Sequence, residues 1–355
     1  MNKKLVAAAL GLAFAAPVFA DSSNVTLYGR VHTSVVSQSN DIVNGGASRF
    51  DVEGVSSRFG IRGVEDLGGG LKAIFGYEQG FDSDDGDFAV NGAAGTASAT
   101  ARNAYVGLDT PTFGKFSVGR LDGAISAPLY NQIFKGINHI NHDGGTAQFA
   151  SSRADTLRGN QRVSNAFGHS INVGTVQIDS RLSLQGPGAA PNASINGEQG
   201  VRNFSIAATT KIGGLDIGGG YERDDYTVQA AEAGAFEDRI QFVAGYQFGN
   251  LRVGGTLAQN TYQQAQFDDE TELGLSAKYK LTANSSIIGN YFTRDDAPLS
   301  AIAGQQVERD QFQVGYTYDF SKRTMTYVMF DRLEANSTVA QNERDAIIAG
   351  IRHNF

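Results

Sequence analysis

The chain of 355 residues contains no cysteine and no tryptophan, and only 6 of its residues are proline. A chain without cysteine forms no disulfides, so its stability comes from extensive regular structure or from its surroundings. No apolar run reaches the roughly 20 residues that a membrane-spanning helix requires, which excludes a helical membrane protein. Basic residues are outnumbered, 29 against 37 acidic ones, and this balance argues against nucleic acid as a partner.

Glycine and aromatic residues are abundant instead. The chain has 44 glycines, 22 phenylalanines and 13 tyrosines, and the glycines show no collagen-like period. Much glycine together with many aromatic residues and little proline is typical of a large antiparallel sheet, in which glycine occupies turns and close approaches between strands.

The first residues have the organisation of a secretory signal peptide. Two lysines form a basic start, residues 5–14 are apolar, and a small-residue pattern ends at Ala20. The apolar run is too short to span a bilayer, whereas all three parts are expected of an export signal. We therefore expect cleavage after Ala20, with a signal peptide at 1–20 and one folded domain at 21–355.

The last residues alternate between two faces. Ile347 and Ile351 lie on one face, Arg352 and Asn354 lie on the other, and the sequence ends on Phe355. A period of two with one apolar and one polar face predicts a strand between an apolar and an aqueous phase.

The same alternation recurs along the chain and predicts sixteen strands. Their approximate bounds are 25–36, 57–65, 71–81, 101–109, 114–120, 158–166, 171–184, 201–211, 215–226, 238–247, 251–262, 271–280, 285–294, 309–319, 323–333 and 344–355. Tight turns alternate with longer polar connectors, among them 37–56 and 121–157. This asymmetry is typical of an outer-membrane barrel, and sixteen strands leave an aqueous lumen. Alternation is blurred in 114–120 and 158–184, where we expect a bulge.

Charges in the middle of the polar faces indicate whether these faces line a packed protein interior or a water-filled lumen. Arg30, Lys72 and Glu78 each lie on the face opposite to apolar neighbours. A packed protein interior would not accept such charges unpaired, whereas a water-filled lumen would. We therefore predict an all-β protein, a transmembrane antiparallel barrel with these three side chains toward the lumen and the apolar faces toward lipid.

Five segments carry a more specific pattern, namely Val25–Gly29, Ser57–Ala73, Arg102–Leu108, Phe113–Arg120 and Gly350–Phe355. They resemble the trimeric general porins of beta-proteobacteria and neisseriae, and the resemblance spans the chain after the signal peptide. It implies a barrel of sixteen strands, three barrels per trimer, and a third long loop, here 121–157, that folds into the lumen as a constriction. In this family the terminal aromatic residue, here Phe355, is the signal read by the outer-membrane assembly machinery.

The resemblance also implies arginines on the barrel wall that face the constriction loop. The matching positions are Arg58, Arg102 and Arg158, and strand parity adds Arg62 and Arg162 to the lumen face.

Two departures from regular alternation affect these assignments. Arg102 shares parity with lipid-facing residues, so it needs a bulge or a position above the bilayer. The chain also has Asn165–His169 where the family has an aromatic-proline turn, which leaves the local register around Arg162 open.

Together these residues predict a charge filter. The five wall arginines would attract anions because guanidinium groups keep their charge, and Asp122 and Asp143 on the loop would supply a facing negative strip. Such crossed charges orient water and disfavour apolar solutes. The sequence thus predicts an outer-membrane general diffusion porin for small hydrophilic solutes and ions, with a preference for anions.

The expected partners are two further copies of the chain in a homotrimer, outer-membrane lipid and lipopolysaccharide, the barrel assembly machinery, and the solutes and ions themselves. No cofactor, metal or enzymatic activity is expected. His139–Asp143 offers no third orienting ligand for a metal, and the spacing of His32 and Ser34 does not by itself make a catalytic dyad. Two alternatives remain, a substrate-specific channel for a sugar or dicarboxylate and a non-channel barrel that serves adhesion or surface structure.

Overall fold

The computed structural model describes residues 24–41, 47–86, 101–126, 129, 162–184, 201–224, 237–262, 268–298, 306–336 and 342–355. These residues form seventeen strands. The strands are β1 (Asn24–Asp41), β2 (Ala47–Gly54), β3 (Ser57–Gly68), β4 (Leu71–Phe81), β5 (Ala101–Thr110), β6 (Gly114–Asp122), β7 (Arg162–Val173), β8 (Val176–Leu184), β9 (Val201–Ile212), β10 (Leu215–Asp224), β11 (Asp238–Phe248), β12 (Leu251–Thr261), β13 (Glu270–Lys280), β14 (Ser285–Pro298), β15 (Gln306–Asp319), β16 (Thr324–Asn336) and β17 (Asn342–Asn354). Across these ranges, no helix has the length and apolar content needed to cross a membrane.

The strands form one antiparallel sheet that closes on itself. β1 pairs with β17 in a continuous register from Arg30 opposite Asn354 to Gln38 opposite Ala346. Phe355 extends this seam, because its N–H and C=O groups exchange two hydrogen bonds with the backbone of Gly29, each 3.1 Å long. The predicted antiparallel barrel is confirmed, and its closure between the first and last strands removes the free edges that an open sheet would expose.

β2 and β3 share one position in the barrel. Both pair with β1, β3 along its first part and β2 along its second. They are separated at Ser56, whose φ is 53°. The barrel therefore has sixteen strand positions, as predicted, but the connector predicted at 37–56 is wrong. Phe50 and Val52 continue the outward apolar alternation in this stretch, so it extends the sheet.

The predicted boundary between strands 158–166 and 171–184 is also wrong. β7 runs without a turn through Asn165–His169, and the actual turn lies at Gly174 and Thr175. A bulge explains the misleading pattern, since the β6–β7 register shifts after Gly119 and Asn165 has a φ of 52°. An extra residue in one strand reverses the parity of the residues after it, so a bulged strand resembles two strands in sequence. The bulge itself is confirmed.

Side chains alternate between a lipid face and a lumen face. Val106, Leu257 and Phe312 are examples of the outward set, with 57%, 49% and 47% of their surface exposed. The opposite parity faces the lumen and carries most of the polar and charged groups, together with apolar residues such as Ile288 and Met329. Seven short turns join strands at one rim, and the longer connectors lie at the other. We call these the short-turn rim and the long-loop rim.

Some glycines in the sheet are covered by aromatic rings from the paired strand. Tyr28 is the cross-strand partner of Gly60, and a Cβ atom at Gly60 would lie 2.8 Å from Cζ of the tyrosine. The Phe355 ring covers Gly29 at the seam in the same way. Rings that cover glycines fix strand register, which gives the high glycine content a structural role.

The lipid-facing parity can be tested at Val106, in the middle of β5. Arginine at the bilayer midplane of a barrel costs about 2–4 kcal/mol. We expect Val106→Arg to lower the free energy of unfolding by this amount, and Val106→Leu at the same site to leave it nearly unchanged. Urea titration of barrels refolded in vesicles, followed by gel mobility, measures both variants, and equal stability would contradict the assigned parity.

Candidate functional site

An arginine–glutamate cluster joins three strands on the lumen face. Glu78 of β4 accepts a hydrogen bond from Nε of Arg102 on β5, and its second carboxylate oxygen lies 3.6 Å from Nε of Arg58 on β3. The side chains of Arg58 and Arg102 remain 18% and 20% exposed. One carboxylate therefore serves two guanidinium groups, which leaves a positive charge in excess on this part of the wall.

Arg102 reaches the lumen through a bulge at the start of β5. Tyr77 pairs with Ala104, whereas Gln79 pairs with Ala101. The three residue intervals from Ala101 to Ala104 on β5 thus lie opposite the two intervals from Tyr77 to Gln79 on β4. This extra residue reverses the parity of Arg102 relative to the rest of its strand. The bulge expected at this residue is confirmed.

Arg30 and Arg62 extend the basic surface along neighbouring positions. The Cα atom of Arg30 is paired with that of Arg58, and Nε of Arg30 donates to Oδ1 of Asn354 at 3.2 Å. The guanidinium carbon of Arg62 lies 5.1 Å from the centre of the Tyr28 ring, a cation–π distance. Tyr28 thus supports a charged group that is itself exposed to the lumen.

Lys72 lies apart from this group of arginines. It is the second residue of β4, next to the short-turn rim, and its Cα atom is paired with those of Asp66 and Asp109. The structure places it on the lumen face with Glu78, but nearer the other end of the barrel.

Asp122 occupies a different place from the one predicted. It is the last residue of β6, in register with Arg162 at the start of β7, and Oδ1 of Asp122 lies 3.4 Å from Nε of Arg162. The assignment of Asp122 to the opposing loop is therefore wrong. The strand extends further than the alternation in 114–120 indicates. Asp122 is therefore a wall residue, and its carboxylate partly neutralises the charge of Arg162.

Arg181 of β8 is a wall residue that the sequence analysis missed. Its Nε donates to the backbone oxygen of Asp122 at 2.9 Å, and its Nη2 lies 3.7 Å from Oδ1 of Asp179. Both residues share one parity, opposite to Ile178 and Leu182. The correct strand bounds would have shown this, but the misplaced boundary in 158–184 concealed it.

Three of the predicted residues lie outside the described residues: Ala20, Asp143 and Arg158. The possible metal ligands in His139–Asp143 are outside them as well.

The far side of the barrel carries a closed hydrogen-bond network on β11 to β14. Nη2 of Arg239 lies 2.8 Å from Oε2 of Glu272, and Nη1 of Arg239 donates to Oδ1 of Asn260, also at 2.8 Å. Arg294 donates through two nitrogens to Glu270. Arg239 and Glu272 are each 1% exposed and Glu270 is fully buried. These groups satisfy one another, as buried charges must, and present little free charge.

The connector that follows β6 enters the lumen and reaches this far side. The backbone N–H of Ala124 donates to Oγ of Ser205 on β9 at 3.3 Å, and Ala124 has no exposed surface. The first residues of the connector therefore lie inside the lumen, and Ala124, Ile125 and Leu129 form one buried cluster with Ala207 of β9, Val243 of β11 and Phe292 of β14.

An acidic turn follows β4 at the long-loop rim, outside the membrane-spanning strands. Carboxylate oxygens of Asp82, Asp84 and Asp85 lie within 4.8 Å of one another. Burial, together with a hydrogen bond and repulsion from Asp84, raises the pKa of Asp82 to about 7. The negative charge of this turn therefore decreases as the pH falls through neutrality.

A closed antiparallel barrel with an apolar outer face, a charged lumen and an inward connector defines a membrane channel. The chain belongs to the Gram-negative porin family, whose profile matches residues 6–338. It is similar over the full length of both chains to an outer membrane porin protein of Bordetella pertussis, with 27% identity over 410 residues, and to the major outer membrane protein P.IB of Neisseria meningitidis serogroup B, with 27% identity over 374 residues.

A solved structure supports the fold. An anion-selective porin from Comamonas acidovorans superposes with a TM-score of 0.72 at 24% identity, covering 94% of this chain and all of the other. The protein is thus a porin of the bacterial outer membrane, a passive channel through which small solutes and ions cross.

The shared carboxylate of Glu78 offers a first test of the site. Glu78→Gln removes the negative charge between Arg58 and Arg102, so we expect the anion-to-cation permeability ratio to rise roughly twofold. Reversal potentials in a salt gradient across a planar bilayer measure this ratio. Glu334→Gln is the control, because Glu334 lies on the outer face next to Arg332. A ratio unchanged by Glu78→Gln would contradict the position of this carboxylate beside the ion path.

Proposed function

We propose that this porin favours anions over cations and that arginines on one wall of the lumen set the preference. The relevant groups are Arg58, Arg62, Arg102 and Arg162, with Arg158 as a further wall residue and Asp143 as an acidic residue of the loop 121–157. The observation that carries the proposal is that a single carboxylate, that of Glu78, is shared by the guanidinium groups of Arg58 and Arg102.

The distribution of charge between the two walls supports this proposal. On the first wall, β1 and β3 to β8, the basic side chains around the described cluster are Arg30, Arg58, Arg62, Arg102, Arg162 and Arg181, and their acidic neighbours are Glu78, Asp122 and Asp179. On β10 to β14, Glu222, Asp224, Glu270 and Glu272 lie around Arg239 and Arg294, where they are buried and engaged in hydrogen bonds or ion pairs. Partly exposed positive charge on one wall that faces satisfied charges on the other produces a field across the lumen.

Solvent access adds a second argument. Arg62 is exposed and Arg58 and Arg102 are partly exposed, whereas Glu222, Glu270 and Glu272 are at most 1% exposed. A hydrated solute therefore meets the basic side chains more directly than the acidic ones. Because arginine stays charged at every physiological pH, the preference for anions is insensitive to pH on this account.

The outer surface does not argue against anion passage. The whole chain has a net charge of −8, but exposed charges are screened beyond about 8 Å at physiological salt. The selectivity of the lumen is therefore set by groups within a few ångströms of the solute path. The solved Comamonas porin of similar fold is described as anion-selective, which agrees with this proposal.

Substitution of wall arginines tests the preference. We expect Arg58→Ser combined with Arg158→Ser to lower the anion-to-cation permeability ratio by roughly threefold, because two positive charges leave the ion path. Reversal potentials in a salt gradient measure the change.

Arg332→Ser is the matched control, since Arg332 shares the lipid-facing parity of Phe312 and pairs with Glu334 on the outer face. We expect it to leave the ratio unchanged. An unchanged ratio in the double variant would refute the role of these arginines. In the same bilayers, saturable block by one sugar or dicarboxylate would support a substrate-specific channel, and absence of conductance steps would support a non-channel surface barrel.

Further proposals concern export, assembly and partners. We propose that residues 1–20 are a signal peptide cleaved after Ala20, that three copies assemble into a homotrimer, and that the outer face contacts lipid and lipopolysaccharide. We also propose that the chain acts as other porins do, without enzymatic chemistry, cofactor or metal. The position of Phe355 at the seam, on the short-turn rim, supports its role as the signal that the barrel assembly machinery reads.

Deletion of Phe355 separates assembly from conduction. The deletion removes the assembly signal and two backbone hydrogen bonds to Gly29, but no lumen side chain. We expect the amount of folded barrel in the outer membrane to fall sharply, while barrels that do insert conduct like the wild type. Phe355→Tyr keeps an aromatic terminus and should assemble normally. Wild-type levels after deletion would refute the proposed signal.

A further inference from the structure

The connector after β6 docks on the far wall through apolar side chains. Ala124, Ile125 and Leu129 have no exposed surface and form one cluster with wall residues. The wall residues of this cluster are Ala207 of β9, Val243 of β11 and Phe292 of β14. A cluster that joins three connector residues to wall residues marks a contact between the connector and the barrel, because apolar side chains are stabilised by leaving water.

Two lumen-facing glycines on β10 make this contact sterically possible. A Cβ atom at Gly220 would lie 3.0 Å from Cγ1 of Ile125, and a Cβ atom at Gly218 would lie 2.6 Å from Cδ1 of Leu129. Both distances are shorter than the 3.5–4.0 Å at which carbon atoms pack favourably. Any side chain at these positions would therefore occupy the space that the connector now fills.

The neighbouring glycine on the same strand faces the other way. A Cβ atom at Gly219 would meet the ring of Phe242 on the lipid face, at 3.1 Å, and no residue of the connector. The run Gly218–Gly220 thus includes two residues that meet the connector and one that does not, which provides a matched control within one strand.

We propose that this contact is a latch that sets the width of the channel. The latch consists of Ala124, Ile125 and Leu129 on the connector and Ala207, Gly218, Gly220, Val243 and Phe292 on the wall. The hydrogen-bonded wall is rigid, so the position of the connector determines how much of the lumen stays open opposite the arginines. The inference rests on the proposed constriction by the loop 121–157 and assigns the residues that hold its first part against the wall.

A substitution at Gly220 tests the width directly. Valine at this position would displace Ile125 from β10 toward the arginine-bearing wall, so we expect single-channel conductance to fall roughly twofold. Gly219→Val projects into lipid and should leave conductance unchanged. Equal conductance of the two variants in planar bilayers would overturn the latch.

A second variant covers the case in which Gly220→Val does not fold. Leu129→Ala shortens a connector side chain and leaves every backbone hydrogen bond of the barrel in place. It should refold to the same heat-resistant gel band as the wild type, and we expect its open-channel current noise to increase roughly twofold because the connector is held less firmly. Noise at the wild-type level would count against the latch.

A crosslink tests the contact without any measurement of current. The chain has no cysteine, so Ile125→Cys with Gly220→Cys creates one possible disulfide. Sγ of a cysteine at position 125 can take the place of Cγ1 of Ile125, which lies 3.0 Å from a Cβ atom at Gly220, so the two thiols are within reach of a bond with an S–S length of about 2.0 Å. We expect the refolded double variant to yield the crosslinked peptide by mass spectrometry, and the pair Ile125→Cys with Gly219→Cys to yield none.

These outcomes separate the latch from the proposed constriction. No crosslink in the folded Ile125→Cys, Gly220→Cys barrel overturns the contact, whatever the channel conducts. A crosslink together with unchanged conductance of Gly220→Val shows that the connector is docked but does not set the width, which also overturns the latch. If the crosslink forms but the wild-type barrel gives no conductance steps, the contact stands and the proposed constriction is refuted.

Discussion

The structure depends on satisfying every backbone hydrogen bond in a medium that contains no water. In a bilayer, unpaired N–H and C=O groups cost several kcal/mol each, so a sheet can span it only when closed. The seam between β1 and β17, extended by the two hydrogen bonds between Gly29 and Phe355, removes the last edge. Closure also fixes which parity faces lipid. A slip of one residue would place Arg30 and its neighbours in hydrocarbon, so register and function are fixed together.

Within that closed ladder, two irregular positions contribute to the site. The bulge at the start of β5 brings Arg102 to the same face as Glu78, and the bulge between β6 and β7 precedes the pair of Asp122 and Arg162. Bulges are common beside functional sites because they re-aim a side chain without breaking the sheet. The arginine wall thus combines regular alternation, which places Arg30, Arg58 and Arg62 on the lumen face, with a bulge that adds Arg102.

The two halves of the lumen serve different physical purposes. On the arginine-bearing side, partly exposed guanidinium groups share few carboxylates and keep an electric field in contact with water. On the other side, Arg239, Glu272 and Asn260 satisfy one another in a buried network, and lumen-facing glycines leave room for the connector. Charge selectivity and width thus come from opposite walls. The wall that holds the connector has its charges neutralised, and the wall that faces the solute does not.

The period-two alternation was sufficient to predict the barrel, its sixteen strand positions and its lipid face, because the face on which a residue lies follows from its place within its own strand. The resemblance to porins added Arg58, Arg102 and Arg158, and strand parity added Arg62 and Arg162. The tertiary structure alone decided that Asp122 is a wall residue, that residues 162–173 form one strand, that Arg181 joins the lumen and that Gly218 and Gly220 receive the connector. Bulges, cross-strand partners and docking contacts depend on which strands meet and at what register. Those are relations between distant segments that alternation within one segment does not encode.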